Sequence, residues 1–323
     1  MATWTPVSDT PTRPKKAPRA PTPPGPKAPP AGTGHDGVLR PVSPKRLRDR
    51  LRRDRPALAA CLLLALIGAA AVLSPLIGPP SAGEIDFSQR MLAPSPLHPF
   101  GTDDLGRDVL VRIMRGGRVS LAVGSGAVLL AVLIGVLAGG VAGFREGVSG
   151  WTIMRTVDLF LSIPIFLIVL LVSSLVEAGV LMLCVLIGCT QWMEVARVVR
   201  SVVLATKKND FVEAARALGV SEGRILFRHV LSHASGPLAV TATIVFAQSI
   251  MLESAVSFLG FGLQPPAASW GGMLQNAQSF LGPAPWVAVF PGAMIFVTVL
   301  CFYTIGDFLR AALNPKADSV LPR

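Results

Sequence analysis

Residues 210–232, DFVEAARALGVSEGRILFRHVLS (Asp210 to Ser232), form a polar island between hydrophobic runs. Asp210 is placed to cap a helix, with Glu213 three residues on closing a capping box. Phe211, Ala214, Ala215 and Leu218 then share one face at helical spacing. Gly219 stands where a helix end favours a left-handed residue. Ser221 can cap a second helix carrying Ile225, Leu226, Val230 and Leu231. The island reads as helix, tight turn, helix. Its paired alanines leave the first helix nearly smooth. Taken locally, it is either an amphipathic surface hairpin or an element shaped to lie in another protein's groove.

Its surroundings are those of a membrane protein. The chain has 323 residues, 51% of them hydrophobic and only 15% charged, with a mean hydropathy of +0.56. These values belong to polytopic membrane proteins. The net charge of +11 does not point to nucleic acid, because thirteen of the thirty Lys and Arg precede Pro56 and most others flank apolar runs. Cys61, Cys184, Cys189 and Cys301 all sit in apolar stretches and lack zinc or disulfide spacing. The four histidines form no metal constellation, so no metal site is assigned. No GxxxxGK[ST] occurs, so any ATP driving this chain is bound elsewhere. No nucleophile–base pair is visible either, and no catalytic residue is assigned.

Residues 1–44, rich in Pro and basic residues, are expected to be disordered and cytoplasmic, and they do not read as a signal peptide. The basic run KRLRDRLRRDR (45–55) should stay cytoplasmic and rest on anionic membrane lipid. Six apolar segments of about 20 residues follow: 57–77, 120–144, 159–176, 178–199, 237–258 and 286–306. The expected fold is an all-α polytopic bundle of six transmembrane helices over residues 45–315, with a helix-turn-helix loop at 207–232. Spans three and four form a hairpin about Glu177. With the N-terminus inside, the C-terminal tail (316–323) and the island also face the cytoplasm. In span two, Ala127, Ala131, Gly135, Gly139 and Gly143 recur every four residues. They form a seam for close helix approach, within the bundle or against a partner subunit.

Several motifs carry a family resemblance. The spacing Glu213-Ala214-Ala215 to Gly219 resembles the EAA loop of ABC importer permeases. The segment HPFGTDDLGRD (98–108) resembles the GTD-x-x-GRD signature of dipeptide and oligopeptide permeases. So do ESAVSFLGFGLQPPAASWG (253–271) and PGAMIFVTVLCFYTIGDFLRAALNP (291–315). Together they cover most of Ala57 to Pro315, in order. The island departs in one place, with Ser232 where the family usually has Pro, so a less sharply ended second helix is expected.

The resemblance implies a peptide-type permease subunit of the "C" class in a bacterial inner membrane. It implies a second homologous permease and two ABC ATPases, or one fused ATPase, binding ATP and Mg. It also implies an extracytoplasmic binding protein. This chain would bind no cofactor itself. Phe211, Glu213, Ala214, Ala215, Leu218, Gly219 and Arg224 would couple to the ATPase. Ionisable and polar groups within spans are functional candidates, so Gln248, Ser249, Glu253 and Ser257 are candidates for the pathway or outer gate. Glu253, near the outer end of span five, meets a peptide's amino terminus or else pairs with an Arg or a backbone amide. Gly101, Asp103, Gly106, Arg107, Asp108 and Trp270 mark the outer loops, where a self-satisfied turn competes with direct substrate contact. Asp158, Glu194 and Asp307 read as structural, near inner span ends. A permease for nickel chelates or another small solute is an alternative cargo reading. An ATP-independent secondary transporter or channel is the rival from another class, and a membrane scaffold binding a soluble partner is a third.

Overall fold

A computed structural model describes residues 44–76, 85–145, 147–177, 179–264 and 267–313. The segment expected to be disordered lies outside these residues except for Pro44, and so does the tail 316–323. Among the described residues the regular structure is helical. Helix α1 (Pro44–Arg53) leads into α2 (Arg55–Leu73), whose N-terminus is capped by Asp54, which accepts from the Ala57 N–H at 3.1 Å. Arg50 of α1 donates to the Ala312 carbonyl at 3.0 Å, tying α1 to the far end of the chain.

The centre of the bundle is a pair of long helices, α3 (Val109–Phe144) and α6 (Val180–Thr206). The small-residue seam predicted for span two packs here, within the chain. A Cβ added at Gly135 would meet Val195, one at Gly139 would meet Ala196, and one at Gly143 would meet Val203. Nearer the start of α3, Gly126 lies against Cys184, and Gly188 lies against the Ala127 carbonyl. The touching residues ascend in sequence together along both helices, so α3 and α6 run parallel.

Parallel neighbours need a return crossing between them, and α4 (Val148–Leu161) with α5 (Ile165–Leu175) provides it. Val157 of α4 packs with Ala142, Met193 and Ala196, while Val169 of α5 packs with Val123, Ala127, Leu183 and Ile187. The pair thus carries the chain from the late end of α3 back to the early end of α6. The expected single span 159–176 is corrected: the two helices meet at 79°. The cause is Pro164, which has no N–H and disfavours helical geometry at Ile163. Alone, the 11 residues of α5 rise only about 16 Å, too little to cross a bilayer.

Helix α7 (Asp210–Ala217) follows α6 after a short turn, and α8 (Glu222–Arg224) follows α7. A π-helical stretch, Ile225–Val230, and a 3-10 stretch, Leu231–Ala234, carry α8 straight into α9 (Ser235–Phe258). The second helix of the island therefore does not end at Ser232. It becomes the foot of a 37-residue rod, Glu222–Phe258. Helix α10 (Trp270–Ala277) sits in the broken segment after α9, and α11 (Trp286–Leu313) closes the fold. Among the described residues five helices are long and apolar enough to cross a membrane, and the count is six if the bent α4–α5 pair is taken as one span.

Candidate coupling hairpin, outer clamp and cleft

Val212 fixes the hairpin to the bundle. It is 0% exposed and packs with Val203, Ile225, Leu226 and Val230. With Val212 inward, Phe211 and Leu218 turn outward, at 38% and 84% exposure. Glu213, Ala214 and Arg224 are exposed as well, and Ala215 is half-buried. One expectation is corrected: Asn209 rather than Asp210 occupies the cap position, and no side chain caps the helix. Asn209 takes an extended conformation just after the end of α6, and its carbonyl accepts from Val212 N–H at 2.9 Å. Ser221 has cap geometry but likewise makes no side-chain cap bond.

The turn matches the expectation for Gly219, whose φ is +75°. Its N–H donates to the Arg216 carbonyl at 2.9 Å, and Val220 N–H reaches back to the Ala215 carbonyl at 3.1 Å. This pair of bonds is a Schellman motif, which satisfies two helix-end carbonyls. Across the turn Arg216 Nε meets Glu222 Oε1 at 3.0 Å. The outcome is a stiff hairpin offering Phe211, Ala214 and Leu218 on an open face.

The GTDDLGRD motif spends its polar groups internally. Asp103 is buried, and its Oδ1 accepts from the N–H groups of Leu105 and Arg107 at 2.9 Å each. Its Oδ2 accepts from Arg107 Nε at 2.8 Å and also from Arg112. Asp108 caps α3 by accepting from Val111 N–H at 3.1 Å, and its other oxygen lies 2.9 Å from His98 Nδ1. Gly101 and Gly106 both have positive φ, and a Cβ at Gly106 would strike the Asp86 carbonyl. The Ser88 hydroxyl, 2.5 Å from Asp86 Oδ1, holds that exposed carboxyl below the usual carboxylate range. Trp286 Nε1 donates to the Thr102 carbonyl at 3.1 Å, fastening this clamp to α11.

Trp270 is fully buried beside α3. Its backbone N–H donates to Ser120 Oγ at 3.2 Å and its indole N–H to the Ile113 carbonyl at 3.0 Å. Gly117 leaves room for the ring, since a Cβ there would lie 2.8 Å from it. Glu253 is part of the same junction. It is 0% exposed, and its oxygens accept from Ser120 at 3.1 Å, Ser257 at 2.8 Å and Ser254 at 3.4 Å. Its partners are thus neighbouring hydroxyls rather than an arginine or a backbone amide.

Of the four pathway candidates, only Gln248 lines the cleft of about 370 Å³ bordered by α5, α6, α9 and α11. Ser249, Glu253 and Ser257 are buried away from it, with Ser249 donating to the Val245 carbonyl at 2.7 Å. Asp158 meets Arg197 at 2.7 Å, and Asp307 meets Arg310 at 3.5 Å, as structural charges should. Glu194 differs from its expected place near an inner span end. It lies midway along α6 and lines the cleft with Gln191 and Tyr303. Sequence reasoning placed Glu194 near a span end because α6 extends to Thr206, seven residues beyond the expected end, and it passed over Gln191 and Tyr303, which carry no charge to single them out.

Residues 131–319 match the family described as binding-protein-dependent transport system inner membrane component. A putative peptide permease protein of Brucella suis is 38% identical over 275 residues, covering 84% of this chain and 91% of that protein. The oligopeptide transport system permease protein OppC of Escherichia coli is 37% identical over 271 residues, covering 83% and 90%. The dipeptide transport system permease protein DppC of Alkalihalophilus pseudofirmus is 36% identical over 279 residues, covering 86% and 92%.

Proposed function

The chain belongs to the family of binding-protein-dependent transport system inner membrane components, and from that premise we propose that it is the permease subunit of an ATP-driven peptide importer. The observation that carries this reading is the α7 hairpin: an apolar face of Phe211, Ala214 and Leu218, held out rigidly by buried Val212 and the Gly219 turn, on a chain without a P-loop of its own. The names of the relatives, which describe dipeptide, oligopeptide and peptide permeases, support peptides as the cargo.

The arrangement lends itself to a simple transmission. The hairpin is continuous through Glu222–Phe258 with the helix that carries Gln248 and Glu253. A push on α7 by a closing ATPase dimer is therefore delivered along one rod to the far end of the bundle, where Glu253 and its serines join α9 to α3. Binding energy that differs between ATPase states shifts the permease between two openings. The complete importer comprises this chain, a second homologous permease, ATPase subunits and an extracytoplasmic binding protein. In this scheme the hairpin and both termini face the cytoplasm of a bacterial cell.

Uptake into proteoliposomes holding the complete importer tests the reading. Peptide accumulation should require ATP inside the vesicles and the binding protein outside, and should survive collapse of proton and sodium gradients. Uptake that follows an ion gradient without ATP would overturn it.

A further inference from the structure

The cleft between α5, α6, α9 and α11 contains one charge that the rest of the fold leaves unanswered. Helices α2 to α6, α9 and α11 carry four carboxylates among the described residues: Asp158, Glu194, Glu253 and Asp307. Asp158 and Asp307 face arginines, and Glu253 is enclosed by serine hydroxyls. Glu194 has neither an ion pair nor a hydrogen bond among the described residues. No lysine, arginine or histidine lines the cleft. The nearest basic group along α6, Arg197, is already engaged by Asp158 at 2.7 Å.

The amides beside Glu194 are also unspent. Gln191 is only 4% exposed and makes no hydrogen bond among the described residues, and the Gln248 side-chain carbonyl is buried without a donor. Buried polar groups are normally satisfied, and unpaired carboxylates within a membrane bundle are costly. A site with one free carboxylate, two free amides and a phenol at its rim, on otherwise apolar walls, is complementary to a cation that also carries amide groups. The volume of about 370 Å³ suits a small ligand or one end of a longer one.

Resting on the permease reading above, we infer that this cleft receives the amino-terminal end of the cargo peptide, with Glu194 facing its ammonium group and Gln191 and Gln248 facing its first amide bonds. The apolar walls, Phe166, Met251 and Leu252 among them, accept side chains without selecting strongly between them.

The test uses the complete importer in proteoliposomes and a tripeptide with a free amino terminus and benzoylphenylalanine as its first residue. Illumination during ATP-driven uptake should attach the peptide to the segments around Phe166 and Met251. Glu194→Gln should lower that attachment about tenfold, the loss of one charge-assisted contact. Glu194→Asp, which keeps the carboxylate, should retain most of it. Attachment confined to other segments, or equal in wild type and Glu194→Gln, would overturn the assignment while wild-type uptake left the permease reading intact. The assignment would fall equally if benzoylphenylalanine placed at position 251 in exchange for Met251 attached, on illumination, to the second permease in the presence of peptide, showing that subunit to be the occupant. Absence of ATP-driven uptake in the wild type would instead count against the permease reading itself.

Discussion

Gly219 shows how one residue sets the geometry of the α7 hairpin. Its φ of +75° lies in the region that costs an L-residue about 1–2 kcal/mol, more for a β-branched one. No atom approaches within 4 Å of where its Cβ would stand, so the cost of substitution is conformational and not steric. Gly219→Val should therefore insert and fold normally yet lose ATPase coupling, whereas Gly219→Asn should keep most of it, because Asn tolerates this conformation. Intact peptide uptake by Gly219→Val in proteoliposomes would remove Gly219 from the coupling machinery. The turn is readable from the sequence because glycine at a helix end has a local cause. Glu194 is not readable in the same way. Whether a carboxylate has a partner depends on four helices distant in sequence, and only the fold brings them together.

At the level of elements, the α3–α6 contact organises the bundle. Small residues every four positions let the two backbones touch, and that periodicity is visible in the sequence along with five of the crossings. Its destination is not, since the same seam serves equally for contact with another subunit. The broken α4–α5 crossing escapes a reading based on apolar length, although Pro164 marks the break. The long reach of Trp270 to Ile113, and of Ser120 to Glu253, has no local signature at all. Close packing makes the seam sensitive to added volume. In Gly139→Val the new Cβ would lie 2.9 Å from the Ala196 Cα, against backbone that cannot turn aside. Such overpacking costs about 1–3 kcal/mol, and the purified protein in detergent should melt at a lower temperature than wild type. Gly68→Val in α2, where no atom lies within 4 Å, should melt unchanged. Equal melting of the two variants would mean that the seam is looser than its geometry indicates.

For the whole molecule, the proposed function turns on a contact with another polypeptide. The chain offers a stiff apolar face on α7, joined through a continuous rod to the bundle, and has no P-loop motif of its own. Ala214 is exposed at the centre of that face, so a large side chain there leaves the fold intact and obstructs only a partner. The most direct measurement is recovery of partners with the affinity-tagged chain from mild detergent, comparing wild type with Ala214→Trp by quantitative mass spectrometry. Wild type should bring down a P-loop ATPase and a second permease at stoichiometric yield, and Ala214→Trp should lose the ATPase alone. Recovery of wild type without any ATPase, or full retention of the ATPase by Ala214→Trp, would contradict the coupling role of the hairpin.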